Sequence, residues 1–382
     1  MEAGVCGCGW RRAEGWRTAP LTRAASGTVE VVNRVMVTAA LLLSLVAATP
    51  AQAVIGGKPL APSAAPWFVP AGICGGVLIA PDRVATAAHC TDPIDLRDFE
   101  SVKVGRETRR GIRVALPATW PTRRADRAGD DVAIIQLDRP VTSVRPVPLL
   151  QPGARLPDRV RILGQGTTRV DGPTGRTPLR EATLRILRDS ACQRLWKRSR
   201  SKYRGDFRPS AEVCAIDADG RAPLDSVCAG DSGGPIVAGT RTRPVLIGII
   251  SWTGERCGAD KLPTVGADAS HFRAFLTATA PVWAPVPGGP PVVTRDGATL
   301  TCSLPPWTGT PDRVDYRWQR RVRVDDGYEF TVVATGPTYV PVAADRGRLL
   351  ICEALGVNAG GRTVAPPGPG SAIRVPSTAS PS

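Results

Sequence analysis

The chain of 382 residues holds two histidines, so an imidazole base must be His89 or His271. His89 lies in ATAAHC (85–90), behind a strand-like run and beside a cysteine. His271 lies in a segment that reads as helix, where a lone histidine is ordinarily structural. A hydroxyl is a weak nucleophile until a neighbouring base takes its proton. GDSGGP (230–235) offers such a hydroxyl at Ser232. Its glycines let the backbone turn sharply and aim amide N–H groups into one concavity, which suits a developing oxyanion. DDVAIIQL (130–137) sets two acids ahead of an apolar strand, and Asp131, at the strand edge, could be buried under an imidazole. Each segment alone is a weak signal. Together, in the order His, Asp, Ser, they supply the parts of a hydrolytic triad. Two well-separated histidines and no metal-type cysteine cluster argue against a metal centre, and no cofactor is called for.

These three parts need a scaffold. Short apolar runs bounded by Gly and Pro recur after residue 54: GGVLIA (75–80), RVRILG (159–164), GPIVAG (234–239) and PVLIGIISW (244–252). They have strand length and turn-like borders. ASHFRAFLTATA (269–280) is the best helix candidate. The length predicts two domains. Hydrophobic residues at 42% suffice for packed cores, and 22% charged residues exclude wholesale disorder. Residues 281–291, PVWAPVPGGPP, read as a stiff linker. A second strand-rich region spans 292–366, and 367–382 reads as a disordered tail.

The beginning reads as a leader. Residues 35–48 are apolar apart from Thr38 and Ser44, follow Arg34, and end at the small-x-small site Ala51-Gln52-Ala53. That is a secretory signal within an upstream segment of 1–53, too short to span a membrane comfortably. The mature form is therefore expected to be extracellular, with no transmembrane segment. Export implies an oxidising compartment. Cys6 and Cys8 lie in the leader, and the remaining eight cysteines suggest four bridges whose connectivity spacing alone leaves open. The net charge is +15; the first 53 residues hold five arginines against three glutamates, so +13 belongs to the remainder. Such a surface reads first as a solvated arginine-rich face, and its charge alone would equally attract acidic substrates, an anionic surface polymer or nucleic acid; no nucleic-acid partner is expected.

Residues 54–280 resemble the trypsin/chymotrypsin-like family of secreted serine proteases. The resemblance rests on VIGG (54–57), CGGVLIAPDRVATAAHC (74–90), DDVAIIQLD (130–138), CAGDSGGP (228–235) and SW (251–252). It implies an all-β fold of two packed six-stranded barrels with a C-terminal helix and a site between the barrels. It implies that His89 is the general base, Asp131 its orienting carboxylate and Ser232 the nucleophile. The amides of Gly230 and Ser232 would hold the oxyanion, and Ser251, Trp252 and Thr253 would line the substrate strand. It pairs Cys74 with Cys90, Cys192 with Cys214, and Cys228 with Cys257. It also implies that the free amine of Val54 inserts beside Asp231. Because Ala53 directly precedes Val54, signal peptidase would itself make the activating cut. In the specificity pocket Ser226, followed by Val227, stands where arginine- and lysine-preferring relatives carry an acid. Thr253 and Thr264 match positions that are glycine in open pockets. The expectation is a preference for small aliphatic side chains; the alternatives are Arg/Lys specificity, should Asp225 reach the pocket, or a catalytically silent binding protein. Gln165, Val77 and Gly266 depart from the family pattern. Substrates would be peptides or proteins.

LTCSL (300–304), YRWQR (316–320) and AADRGRLLIC (343–352) resemble a bacterial immunoglobulin-like module, a small β-sandwich in which Cys302 and Cys352 bridge two sheets around Trp318. Leu350 replaces the corner tyrosine, and Arg320-Arg321 reads as a solvated strand face. The module would be a spacer or a means of attachment to a polymer or substrate.

Overall fold

The computed structural model describes residues 54–120, 130–167, 177–221, 224–324 and 327–377. The leader, with Cys6, Cys8 and Ala51–Ala53, lies outside them. Strands dominate. Six of them, Arg159–Gly164, Arg180–Ile186, Glu212–Asp217, Thr264–Asp268, Pro244–Trp252 and Pro235–Gly239, close on themselves as a barrel, with the short Lys58–Pro59 added beside Arg180–Ile186. Inward residues such as Val160, Ile162, Leu184, Ile236 and Ile250 fill it. The other half is a five-stranded sheet, Phe68–Ala71, Cys74–Ala80, Arg83–Thr86, Ala133–Leu137 and Gly111–Ala115, with a separate hairpin, Val102–Val104 and Glu107–Arg109. Among the described residues this half is five strands plus a hairpin, not a closed six-stranded ring. Its core holds Trp67, Phe68, Leu78, Phe99 and Ile135 and is continuous with barrel residues such as Leu163, Val237 and Leu246. Every apolar run singled out in the sequence is a strand, because each alternates or fills a face that a sheet can bury.

The halves meet where side chains vanish. A Cβ on Gly75 would lie 2.9 Å from the Gly234 Cα, and the Gly75 N–H donates to the Ser232 carbonyl at 2.8 Å. Glycine at both positions lets the two backbones touch.

Helices are few. The predicted 269–280 helix shrinks to Arg273–Leu276. Asp268 accepts the amides of Ser270 and His271 through its side chain, which makes a turn of the first residues. Arg83 takes the carbonyls of Ala278 and Thr279, so the final turn has no need of helix bonds. The sequence reading also missed the helix Asp189–Arg198, which buries Cys192 and Trp196, four residues apart on one face.

The C-terminal region forms two sheets. Val292–Asp296, Thr299–Ser303 and Thr338–Tyr339 make one; Gly327–Thr335, Arg313–Val324, Leu349–Asn358, Gly361–Val364 and Ala372–Arg374 make the other. The Cys302–Cys352 bridge joins them beside the fully buried Trp318, whose Nε1 donates to the Gly336 carbonyl at 3.1 Å. Three expectations need correction. Residues 281–291 are no free linker: Ala284 is buried, its N–H donates to the Val114 carbonyl, and Val286–Pro287 pairs with Trp307–Thr308. The chain past 367 is ordered to residue 377; Ser371 is buried and donates to the Pro291 carbonyl, and Ala372–Arg374 joins a sheet. Arg320 is not solvated, because its Nε donates at 2.6 Å to the fully buried Asp345, which also accepts the Tyr339 hydroxyl at 2.6 Å. From residue 54 onward the chain is one compact unit.

Candidate active site

Strand register brings the acid to the imidazole. Arg83–Thr86 runs antiparallel to Ala133–Leu137 with Thr86 opposite Ala133. Continuing both strands past that pair sets the turn Ala88–Cys90 against Asp131. The Asp131 Oδ1 accepts the His89 backbone N–H at 2.9 Å, and its Oδ2 lies 2.7 Å from the ring Nδ1. Asp131 is buried, while the His89 side chain is 37% exposed. Ser251 donates its hydroxyl to the same Oδ2 at 2.5 Å.

The electrostatics follow. Burial pushes the Asp131 carboxyl up, but the His89 charge and the hydrogen bonds from His89 and Ser251 outweigh it and hold the carboxyl below its usual range. For His89, burial pulls the imidazole down, and the Asp131 charge and hydrogen bond more than reverse this, leaving it above the ordinary 6.5. The neighbouring acid is engaged elsewhere, with the Asp130 Oδ1 paired to the Arg208 guanidinium at 2.7 Å.

Ser232 sits in a turn that only glycine tolerates. Gly230 has φ +91° and Gly233 φ +75°. A Cβ on Gly233 would lie 2.2 Å from the Thr86 Oγ1 and 2.4 Å from the Gly75 carbonyl oxygen. The Asp231 N–H donates to the Cys228 carbonyl at 3.0 Å, and the Gly234 N–H to the Asp231 carbonyl at 3.0 Å. The bridge Cys228–Cys257 fixes the preceding residues. The result is a half-buried Ser232 on the same cleft as His89, a cavity of about 430 Å³ that also includes Val227, Ala229, Ser251, Trp252 and Thr253. His89 Nε2 lies 3.7 Å from the Cys90 Sγ. Cys74, His89 and Cys90 converge, but the two sulfurs are joined to each other, so the group offers no thiolate to a metal. The bridges Cys74–Cys90, Cys192–Cys214 and Cys228–Cys257 match the pairing that the resemblance implied. His271 is exposed, with its ring edge-on to Phe272, far in role from this cluster.

Asp231 is fully buried. Its Oδ1 accepts the Gly166 N–H at 2.8 Å and its Oδ2 the Cys228 N–H at 2.9 Å. Burial outweighs these bonds and pushes the carboxyl up to about 7. Val54, φ +49°, is buried among Val160, Ile162, Ala182 and Val227. Ile55 forms a bridge with Ser226, whose N–H donates to the Ile55 carbonyl at 3.1 Å.

Of the predicted pocket residues, Val227, Ser251, Trp252 and Thr253 line the cleft. Ser226 and Thr264 are buried and do not. The Ser226 hydroxyl donates to the Val227 carbonyl at 3.1 Å, and the Thr253 hydroxyl to the Pro263 carbonyl at 3.2 Å. Asp225 is off the cleft; burial and the neighbouring Asp217 and Asp219 raise its carboxyl, and the Thr183 backbone bonds to it.

Sequence reasoning missed Glu212. It is buried in Glu212–Asp217, accepting the Trp252 Nε1 at 3.0 Å and the Arg208 N–H at 2.6 Å. Burial pushes its carboxyl up to about 7. The signal was present: an acid stands two residues before Cys214 on the inward phase of an apolar strand. The rim residues Lys202, Tyr203 and Glu255 were missed as well. Tyr203 stacks on Trp252 at 5.6 Å, and Glu255 accepts the Lys202 N–H at 2.8 Å.

Comparison with known proteins agrees with this geometry. The trypsin family profile matches residues 54–276. Human kallikrein-14 is 30% identical over 59% of this chain and 84% of its own length. A trypsin-like protease of Streptomyces glaucescens is 32% identical over 57% of this chain and 79% of its own. The trypsin of Saccharopolyspora erythraea is 32% identical over 52% and 83%.

Proposed function

The chain belongs to the trypsin family of serine endopeptidases, and on that premise we propose that His89, Asp131 and Ser232 form its catalytic triad once the protein is exported. The observation that carries this reading is the 2.7 Å contact of Asp131 with the His89 Nδ1 on the cleft that also holds Ser232. The steps follow from that geometry. A substrate carbonyl enters the cleft, the His89 Nε2 swings onto the Ser232 hydroxyl, and the oxygen attacks the carbonyl carbon as its proton passes to Nε2. Asp131 fixes the Nδ1–H tautomer and stabilises the imidazolium. The carbonyl oxygen takes the negative charge and is met by the amides of Gly230 and Ser232. The intermediate collapses, the C–N bond breaks, and His89 returns its proton to the leaving amine. Water then attacks the acyl-Ser232 ester with His89 again as base, which releases the acid and restores the hydroxyl.

The preferred side chain is small and aliphatic. Thr253 brings a branched side chain to the cleft lining, Ser226 brings no charge to it, and Asp225 is engaged with the Thr183 backbone away from it. Cleavage of a peptide library tests this; a dominant preference for Arg or Lys overturns it.

Maturation is the signal-peptidase cut before Val54. It creates an ammonium in the chain that already carries the buried Val54 and Ile55 past Ser226, and it supplies the charge that the buried Asp231 carboxylate needs. Four disulfides support export, and among the described residues no helix is long and apolar enough to cross a membrane. N-terminal sequencing of the exported protein should read Val-Ile-Gly-Gly; a start elsewhere contradicts this route.

A further inference from the structure

We propose that the C-terminal immunoglobulin-like module is a brace for the His89 turn, and that Arg362 is a positioning residue acting on it through Asp92. This rests on the reading of His89 as the base. The contact begins two residues after Cys90. The Asp92 side chain is 4% exposed. Its Oδ1 accepts the Arg362 Nε at 2.9 Å, and its Oδ2 accepts the Arg362 Nη2 at 2.7 Å and the Trp120 Nε1 at 3.1 Å. A two-pronged guanidinium–carboxylate pair fixes orientation as well as distance. The backbone adds a second clamp: Ile94 donates to the Arg362 carbonyl at 2.7 Å and accepts from Val364 at 2.9 Å. Ile94 is thus a one-residue parallel extension of the module's sheet.

The same hairpin also holds the end of the strand Gly111–Ala115. The Leu116 N–H donates to the Gly360 carbonyl at 2.8 Å. Gly361, at φ +140°, lets the tip in; a Cβ there would meet Ile94, Ala284 and Leu116 side-chain atoms at 3.0–3.3 Å. Leu116 and Trp120 are buried directly after the strand Gly111–Ala115. One module tip therefore holds the segment that follows the imidazole and the end of the strand Gly111–Ala115, which pairs with Ala133–Leu137 just after its acid. That tip is anchored in its own module: Leu349–Asn358, which leads into it, pairs with three other strands and carries the bridged Cys352. A freestanding spacer joined by a linker has no use for such contacts.

The test uses the full chain with Arg362→Ala, Arg362→Lys, Gly361→Val and, as a control at the module's far side, Arg374→Ala. Two readouts are taken. Amide hydrogen exchange reports the hold on Ile94 and Leu116; kcat, KM and the pH profile on a short chromogenic peptide report the base. Arg362→Ala and Gly361→Val are expected to speed exchange at 92–95 and 116–120 at least tenfold. They should lower kcat on the order of tenfold with KM within twofold, since small displacements of a catalytic group act on turnover. The acidic limb should move toward the ordinary imidazole value as the His89–Asp131 pair loosens. Arg362→Lys should recover part of both effects, and Arg374→Ala should change neither. Unchanged exchange, or faster exchange with kcat and the acidic limb unmoved, overturns the brace. If the wild type labels at no serine and turns over no substrate, the triad reading fails by itself, and the exchange arm still decides whether Arg362 holds the turn.

Discussion

The Ser251 hydroxyl donates to the Asp131 oxygen that also faces the His89 ring, at 2.5 Å against 2.7 Å. The carboxylate is thereby fixed from both halves of the protease fold, since Ser251 comes from the barrel strand Pro244–Trp252 and His89 from the turn after Arg83–Thr86. Ser251→Ala removes a bond to a charged acceptor, which is worth about 1.5–3 kcal/mol. Steady-state kinetics should show kcat lower by roughly 10- to 100-fold if that loss falls on the transition state, with the disulfides and fold unchanged by circular dichroism.

The His89–Asp131 pair sets a pH signature. His89 works as a base only when neutral, and Asp131 holds its pKa above 6.5. The acidic limb of kcat/KM should therefore fall above that value. Asp131→Asn should move the limb down and reduce kcat by about 10⁴, as in the template triad. Stability follows in opposite directions for the two groups. The share from the raised His89 is full below 6.5 and fades as pH climbs through its raised value. The share from the lowered Asp131 is present above its ordinary 3.8 and is lost as pH falls through its lowered value. Thermal melts of Asp131→Asn and His89→Ala beside the wild type across pH 3–9 check the signs.

Asp231 should behave differently before and after the cut at Val54. In the uncleaved chain its carboxyl is raised from 3.8 to about 7 by burial. A raised acid stabilises the fold fully below 3.8, and that contribution is lost as pH rises toward 7. Asp231→Asn should thus leave the uncleaved chain as stable as wild type or more so at pH 8, judged by thermal melting. In the cleaved protein the same change strands a buried ammonium, and breaking such a pair costs about 3–5 kcal/mol; activity should vanish. Equal effects on both forms would contradict the insertion of Val54.

Thr253 lines the cleft beside Ser232, and the proposed preference for small side chains makes it the position to open. Thr253→Gly should raise kcat/KM for Leu or Phe substrates over Ala substrates by roughly 10- to 100-fold, the scale set by a few methylenes in an apolar pocket. A side-by-side peptide series measures it.

How much of this was visible in the sequence divides by range. The candidate triad was legible because each part lies in a short, chemically unusual segment, such as GDSGGP or ATAAHC; the pairing of the bridges came only with the resemblance, because spacing alone leaves connectivity open. The strands were legible because an alternating or continuous apolar run has few other places to go. The docking of the C-terminal module was not. Asp92 and Arg362 are 270 residues apart, and nothing local marks either as a partner; 281–291 looked like a linker because prolines and glycines there serve close packing, not reach. Arg320 looked solvated for the same reason: its partner, Asp345, sits on another element. The helix Asp189–Arg198 hid because two buried residues in ten make a weak period. Glu212 was passed over although it stands in phase with Cys214, because the Trp252 indole that it accepts from lies on another strand.

The most direct test of the central claim is fluorophosphonate labelling of the exported protein, with the adduct mapped by peptide mass spectrometry. The account predicts one stoichiometric adduct on Ser232, formed only after the cut before Val54, and abolished with turnover by His89→Ala. A protein that begins at Val54 and hydrolyses peptides while Ser232 stays unlabelled, or while Ser232→Ala retains its rate, would contradict it.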